Sequence, residues 1–236
     1  MKKIKKLLLI FSIFAISNIS VFAASGFETI INVPLGLSIG VPTGTYETLS
    51  DKGKVGFDSG VTAQIGYMIG IGKLGISILG EFGYGYDSYK MYLLQSEILG
   101  QKTEMNLSMY THSFQVGLLP KINIGQFAIG VGAGVKIPIT AVYEVDTTAF
   151  GLNEKATTDL KRKDIEKIYN GRNVIPYIKL TFDYSIFFGS KMALNIGAYL
   201  GYDFGLAQKN AIDNEYNSVD SFDLGLQLGL RFAPKL

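Results

Sequence analysis

The chain has 236 residues, 47% of them apolar and only 18% charged, against about 25% charged residues in an ordinary soluble domain. It holds no cysteine and a single histidine, His112, which excludes disulfide scaffolds, thiol nucleophiles, thiolate metal sites and any two-histidine metal centre. The formal charge is +2, but Lys2, Lys3, Lys5 and Lys6 stand in a leader expected to be removed, and without them the charge falls to −2, a poor match for nucleic acid.

That leader comes first. Residues 1–6 (MKKIKK) are basic, residues 7–16 (LLLIFSIFAI) are apolar with one serine, and residues 17–23 are more polar with Val21 and Ala23 at the −3 and −1 positions. This is the three-part pattern of a secretory signal, with cleavage expected after Ala23 or Ala24. Ten helical residues rise about 15 Å, half of the ~30 Å hydrocarbon core, so the segment is too short to anchor the chain. The expected division is residues 1–23 as signal and 24–236 as one domain.

From Thr29 onward the hydrophobic period is two. Ile31, Val33, Leu35, Leu37, Ile39 and Val41 alternate with small or polar residues, and seven further runs repeat the pattern, at positions 61–69, 74–86, 110–118, 127–139, 174–186, 192–204 and 222–232. Alternation of this length marks strands with one apolar face, and the count predicts eight. Their joins alternate too. Short turns are expected at 70–73, 120–126 and 188–191, and long loops at 42–60, 88–105, 143–173 and 207–220. Short turns on one rim and long loops on the other are the arrangement of a barrel spanning the outer membrane.

The second face decides which solvent each side meets. Fifteen of the 28 glycines lie on it, together with serine, threonine, asparagine and glutamine. Glycine weakens a strand unless space is short, and the inside of an eight-stranded barrel is short of space. Glu81, Asp87, Lys136, Lys179, Asp183, Asp203, Asp223 and Arg231 all fall on this same face. A lysine or arginine facing mid-bilayer lipid costs about 2–4 kcal/mol, which accounts for the exclusion from the other side. The apolar face therefore points outward, with tyrosine and phenylalanine near the strand ends as interfacial girdles.

At this point the mature chain resembles the small eight-stranded outer-membrane proteins of the OmpA/OmpX type. Its end, residues 223–230 (DLGLQLGL), is similar to that family's assembly signal, although the chain runs on past Phe232 through Ala233-Pro234-Lys235-Leu236. The resemblance implies an all-β, antiparallel, up-and-down transmembrane barrel set among outer-membrane lipids and inserted by the barrel-assembly machinery.

Candidate chemistry is sparse. His112 beside Ser113 is the one pair resembling a nucleophile and its base, but neighbours on a strand point to opposite faces. Residues 130–134 (GVGAG) alternate along a strand, whereas a phosphate loop needs a turn opening a helix. The acids around Asp213 lack calcium-loop spacing. Residues 153–171 predict a short surface helix with Thr158 as N-cap and Gly171 past its end, and Leu160, Ile165, Ile168 and Tyr169 as an apolar stripe, the segment serving either as a contact site for another molecule or as a solvated cap on the barrel mouth. Glu81, Lys136, Lys179 and Asp223 lie at similar counts from the short-turn ends of their strands, which predicts a mid-lumen charge plug. No catalytic residue, cofactor or metal is expected. Fold analogy predicts a non-enzymatic outer-membrane protein, envelope-structural or adhesin-like, whose loops offer contacts to an extracellular ligand. A narrow pore for small solutes and a lipid A-modifying enzyme are the alternatives.

Overall fold

A computed structural model describes residues 25–49, 52–98, 101–149, 151–169, 172–209 and 216–235. The signal segment with its cleavage site, Gly171 and the acids around Asp213 lie outside the described residues. The elements are β1 (Gly26–Thr43), α1 (Thr45–Leu49), β2 (Val55–Ile71), β3 (Leu74–Ile98), β4 (Gln101–Ile124) and β5 (Phe127–Ala149). Then follow β6 (Leu152–Lys161), α2 (Arg162–Ile168), β7 (Ile175–Phe187), β8 (Met192–Asp203), β9 (Gln208–Lys209) and β10 (Tyr216–Phe232).

Eight of these strands close a ring in the order β1-β2-β3-β4-β5-β7-β8-β10, and β10 returns to β1 from Thr29 opposite Phe232 to Thr43 opposite Ser218. All the pairings are antiparallel. Closure leaves no unpaired edge in the ring, the condition for a sheet to sit in hydrocarbon. Two of the tight turns on the short rim use glycine in the left-handed region, Gly72 at φ 64° and Gly125 at φ 59°.

The exposure pattern is that of a soluble protein turned inside out. Leu226 is 69% exposed while its neighbour Gln227 is 3% exposed, and the same reversal runs around the ring. Ile31, Val33, Leu35, Phe82, Phe114, Val131, Ile178 and Leu224 face outward, whereas Glu81, Asp87, Lys136, Asp183, Asp203, Asp223 and Arg231 are buried inside. Lipid is the solvent for the first set.

Two expectations about the joins need correction. The turn placed at 120–126 is shorter, because β4 runs through Pro120 to Ile124 and carries Lys121 into the lumen. The segment 88–105 is no loop. β3 and β4 stay paired out to Ile98 opposite Gln101, with one bulge at Tyr92/Leu94, although β2 leaves β3 at Ser59 opposite Tyr86. β5 follows β4 up to Thr148, and β6 pairs with β5 from Lys161 opposite Thr140 to Leu152 opposite Ala149. Residues 52–54 still pair with β3 above Tyr86, Gly53 bridging Met91 and the Tyr92 N–H donating to the Lys52 carbonyl at 3.1 Å. Four strands therefore rise as an open sheet only above Tyr92, with β3 extending about 20 Å further at about 3.3 Å per residue.

Candidate functional site

The lumen is filled by polar side chains in tiers, from the short-turn rim upward. In the lowest, the Arg231 guanidinium forms an ion pair with Glu28 at 2.8 Å and donates to Asn123 at 2.9 Å and to Ser185 at 3.0 Å. Ser77 bridges Glu28 and Asn123. Above it, Lys121 pairs with Asp183 at 2.7 Å, and Gln227 and Asn195 donate to the other Asp183 oxygen.

The third tier centres on Glu81. Lys179 Nζ lies 2.6 and 2.7 Å from its two oxygens, and Gln64, Gln115 and Tyr177 donate to the same carboxylate at 2.9–3.0 Å. In the fourth, Lys136 Nζ bridges Asp87 at 2.7 Å and Asp203 at 2.5 Å. Tyr89 donates to Asp203, Tyr199 donates to Asp58, and Asp223 accepts from Ser221 at 2.5 Å. Charges buried this deeply persist when paired, while Asp58 and Asp223 are held by the Tyr199 and Ser221 hydroxyls.

Glycine makes room for this filling. The Tyr177 hydroxyl lies over Gly134, where an added Cβ would come within 2.7 Å of it, and the Tyr199 ring lies over Gly225, where the distance would be 2.6 Å. Those two tyrosines are the donors to Glu81 and Asp58. Between the upper two tiers the enclosed space is about 50 Å³, bordered by Asp58, Asp87, Lys136, Tyr177, Tyr199 and Asp223. That volume holds a few water molecules.

The four residues expected to share one depth do not all meet. Glu81 pairs with Lys179, but Lys136 belongs to the tier above, with Asp87 and Asp203 as its partners and Asp223 nearby. Lys136 stands opposite Gln115 and Gln115 opposite Gly83, two residues beyond Glu81, so strand stagger lifts it out of reach. Glu28, Asp58, Lys121 and Asp220 were not among the predicted inward charges. Glu28, Asp58 and Lys121 have the inward parity of their strands, so carrying the alternation a few residues further would have found them. Asp220 instead has the outward parity of Phe222 and Leu224 and is buried above the belt by Tyr202, Ser218 and the Gly205 N–H.

The mouth is closed by a small apolar core. Tyr89, Met91, Met109, Ala141, Ile165, Tyr169, Ile175, Leu206 and Val219 pack together there, with Tyr46 from α1 and Leu160 against them. α2 supplies Ile165, fully buried, and Tyr169, whose burial pushes its hydroxyl well above the usual phenol range. The predicted stripe thus seals the barrel: Ile165 and Tyr169 are inside, Leu160 is half-buried, and Ile168 alone of the four stays exposed. The helix also begins later than expected, at Arg162, because residues 152–161 are held as strand by β5; Thr158 is in β6 and Lys161 is the N-cap. The Asp164 carboxylate accepts the Lys161 N–H at 3.1 Å, and Arg162 fixes the far side by donating to the Asn173 carbonyl at 2.7 Å.

His112 and Ser113 lie on opposite faces. The imidazole is on the outer surface with Nδ1 2.6 Å from the Tyr84 hydroxyl, and Ser113 is buried in the lumen, its hydroxyl 3.5 Å from Thr111 Oγ1.

An apolar belt around a closed eight-stranded ring, with ion-paired polar tiers inside it, defines a small transmembrane β-barrel with a lumen filled by side chains. The chain is similar, at low identity, to solved bacterial outer-membrane proteins. The attachment invasion locus protein Ail of Yersinia pestis, solved with the heparin analogue sucrose octasulfate, is 12% identical over 87% of this chain and 99% of its own, at TM-score 0.39. Neisserial surface protein A is 14% identical over 89% and 98%, at TM-score 0.36. The outer-membrane protease OmpT of Escherichia coli is 6% identical over 88% and 96%, at TM-score 0.39. No family model and no curated protein matches the sequence.

Proposed function

We propose that this chain is a non-enzymatic outer-membrane barrel, exported by its N-terminal signal, that anchors a projecting sheet at the cell surface for adhesin-like contact. The observation that carries the reading is the contrast along one axis. The lumen is ion-paired through its height and capped by an apolar mouth, while β3, β4, β5 and β6 continue outward as a sheet. A solute path would need to break several buried pairs, which disfavours a pore. Lipid A chemistry would need a base beside a hydroxyl nucleophile and a carboxylate, and the partner of His112 is Tyr84. Lipids contact the belt, the C-terminal pattern serves insertion by the assembly machinery, and any extracellular ligand meets the sheet and not the buried α2 stripe.

Fractionation and surface proteolysis test the reading. The chain should sediment with the outer membrane and migrate faster on gels unheated than boiled. Protease added to intact cells should cut the exposed β5–β6 connection around Gly151 and spare the ring. Recovery as soluble periplasmic protein, or cleavage at the Gly72 and Gly125 turns instead, would refute it.

A further inference from the structure

The projecting sheet ends in an edge. Among the described residues β6 pairs with β5 alone, and residues 152–159 are all exposed. Over ten residues it contains no proline or bulge to blunt such an edge, and its protection rests on charge alone, Glu154, Lys155, Asp159 and Lys161.

Backbone parity limits what can add there. Only two residues connect Ala149 to Leu152, so these two flank a tight hairpin turn and exchange hydrogen bonds. Leu152, Glu154, Ala156, Thr158 and Leu160 then direct their backbone groups to β5, and Asn153, Lys155, Thr157 and Asp159 direct theirs outward. The next residue of that outward set, Lys161, agrees: its N–H leaves the ladder for the Asp164 carboxylate. An antiparallel strand added at this edge must set outward residues opposite outward residues. For a second copy of β6, the register centred on Thr157 does so, and it places Lys155 opposite Asp159 at both ends. Parallel pairing would instead set Lys155 beside Lys155.

We propose that β6 is a self-recognition edge, in which two copies of this chain pair β6 to β6 antiparallel about Thr157. Three hydrogen-bonded residue pairs form, or about six backbone bonds, and at each end Lys155, which pairs with Glu144 of its own chain at 2.6 Å, also faces Asp159 of the second copy. The symmetry fixes where the copies sit. Barrels in one membrane are related by an axis along the membrane normal, whereas an antiparallel pair needs its axis perpendicular to the strands. A strand rising from a wall tilted about 40° to the normal does not meet that condition, so the pair joins barrels in facing membranes. Each contact is small, and many copies across two apposed surfaces supply the avidity. The proposal rests on the outward placement of the sheet argued under the proposed function.

The test uses the full chain in phosphatidylcholine vesicles, with clustering followed by energy transfer between two dye-labelled populations. Wild-type vesicles should cluster. Thr157→Pro should slow clustering at least tenfold while the barrel stays heat-modifiable, since it removes an outward N–H and no bond to β5. Lys155→Asp vesicles and Asp159→Lys vesicles should each fail alone and cluster when mixed, because each then supplies the opposite charge at both positions. Equal clustering by all variants, no rescue on mixing, or clustering that needs a different added protein overturns the self-recognition edge. External protease separates the two readings. If it cuts near Gly151 and wild-type vesicles stay dispersed, only this proposal fails; if the sheet is inaccessible on intact cells, the surface reading fails with it.

Discussion

The lower and upper halves of β3 are one continuous strand in two environments. From Leu74 to Tyr86 the outward residues other than Gly80 are apolar and the inward residues other than Leu79 are glycine or polar, because lipid lies on one side and a crowded lumen on the other. Above Tyr86 the rule changes. Tyr89 and Met91 turn inward to an apolar mouth, Lys90 and Tyr92 turn outward, and Lys90 Nζ sits 4.9 Å from the centre of the Tyr110 ring. The upper half is organised as a water-soluble protein is, with an apolar inside and a polar outside. The strand continues without a break; the solvent on each face reverses.

Breaking the lower half should produce the largest effects. Lys179→Ala leaves Glu81 buried without its cation and should destabilise the barrel by about 3–5 kcal/mol, read as a lower temperature for loss of the fast-migrating gel form. Glu81→Ala with Lys179→Ala should recover part of that loss, whereas Glu81→Ala with Lys136→Ala should not, since those two do not touch. Next comes Val131→Arg on the lipid side, at about 2–4 kcal/mol, measured by urea-dependent folding into vesicles. The same change at exposed Leu152, in the projecting sheet, should cost almost nothing.

Ile165→Ala should cost about 2 kcal/mol or somewhat more, confined to the mouth. Proteolysis within α2 should quicken while the unheated gel mobility of the ring is unchanged. Smallest of all, Glu166→Ala removes an exposed pair with Arg162 at 2.8 Å and should shift stability by under about 1 kcal/mol.

This division also explains what could be read from the sequence. Strand count, parity, the outward apolar face and the inward charges followed from alternation alone, because lipid tolerates almost no exceptions on its side. The tier partners did not. Residue counts from each turn ignore the stagger between strands, which is why Lys136 was placed level with Glu81 and not with Asp87 and Asp203. The projecting sheet was hidden as well, since residues 88–105 keep their strand geometry with no lipid to enforce a pattern. The sequence shows α2 as a helix but starts it too early. Its caps are local, but the β5 pairing that holds residues 152–161 extended is not, nor is the mouth that buries Ile165 and Tyr169.

The filled lumen is the central claim, and single-channel recording in a planar lipid bilayer tests it most directly. The purified wild-type barrel should insert without a steady conductance step, because four tiers of paired side chains and the apolar mouth leave no water-filled path. A stable, voltage-independent open step from wild-type protein would contradict the account.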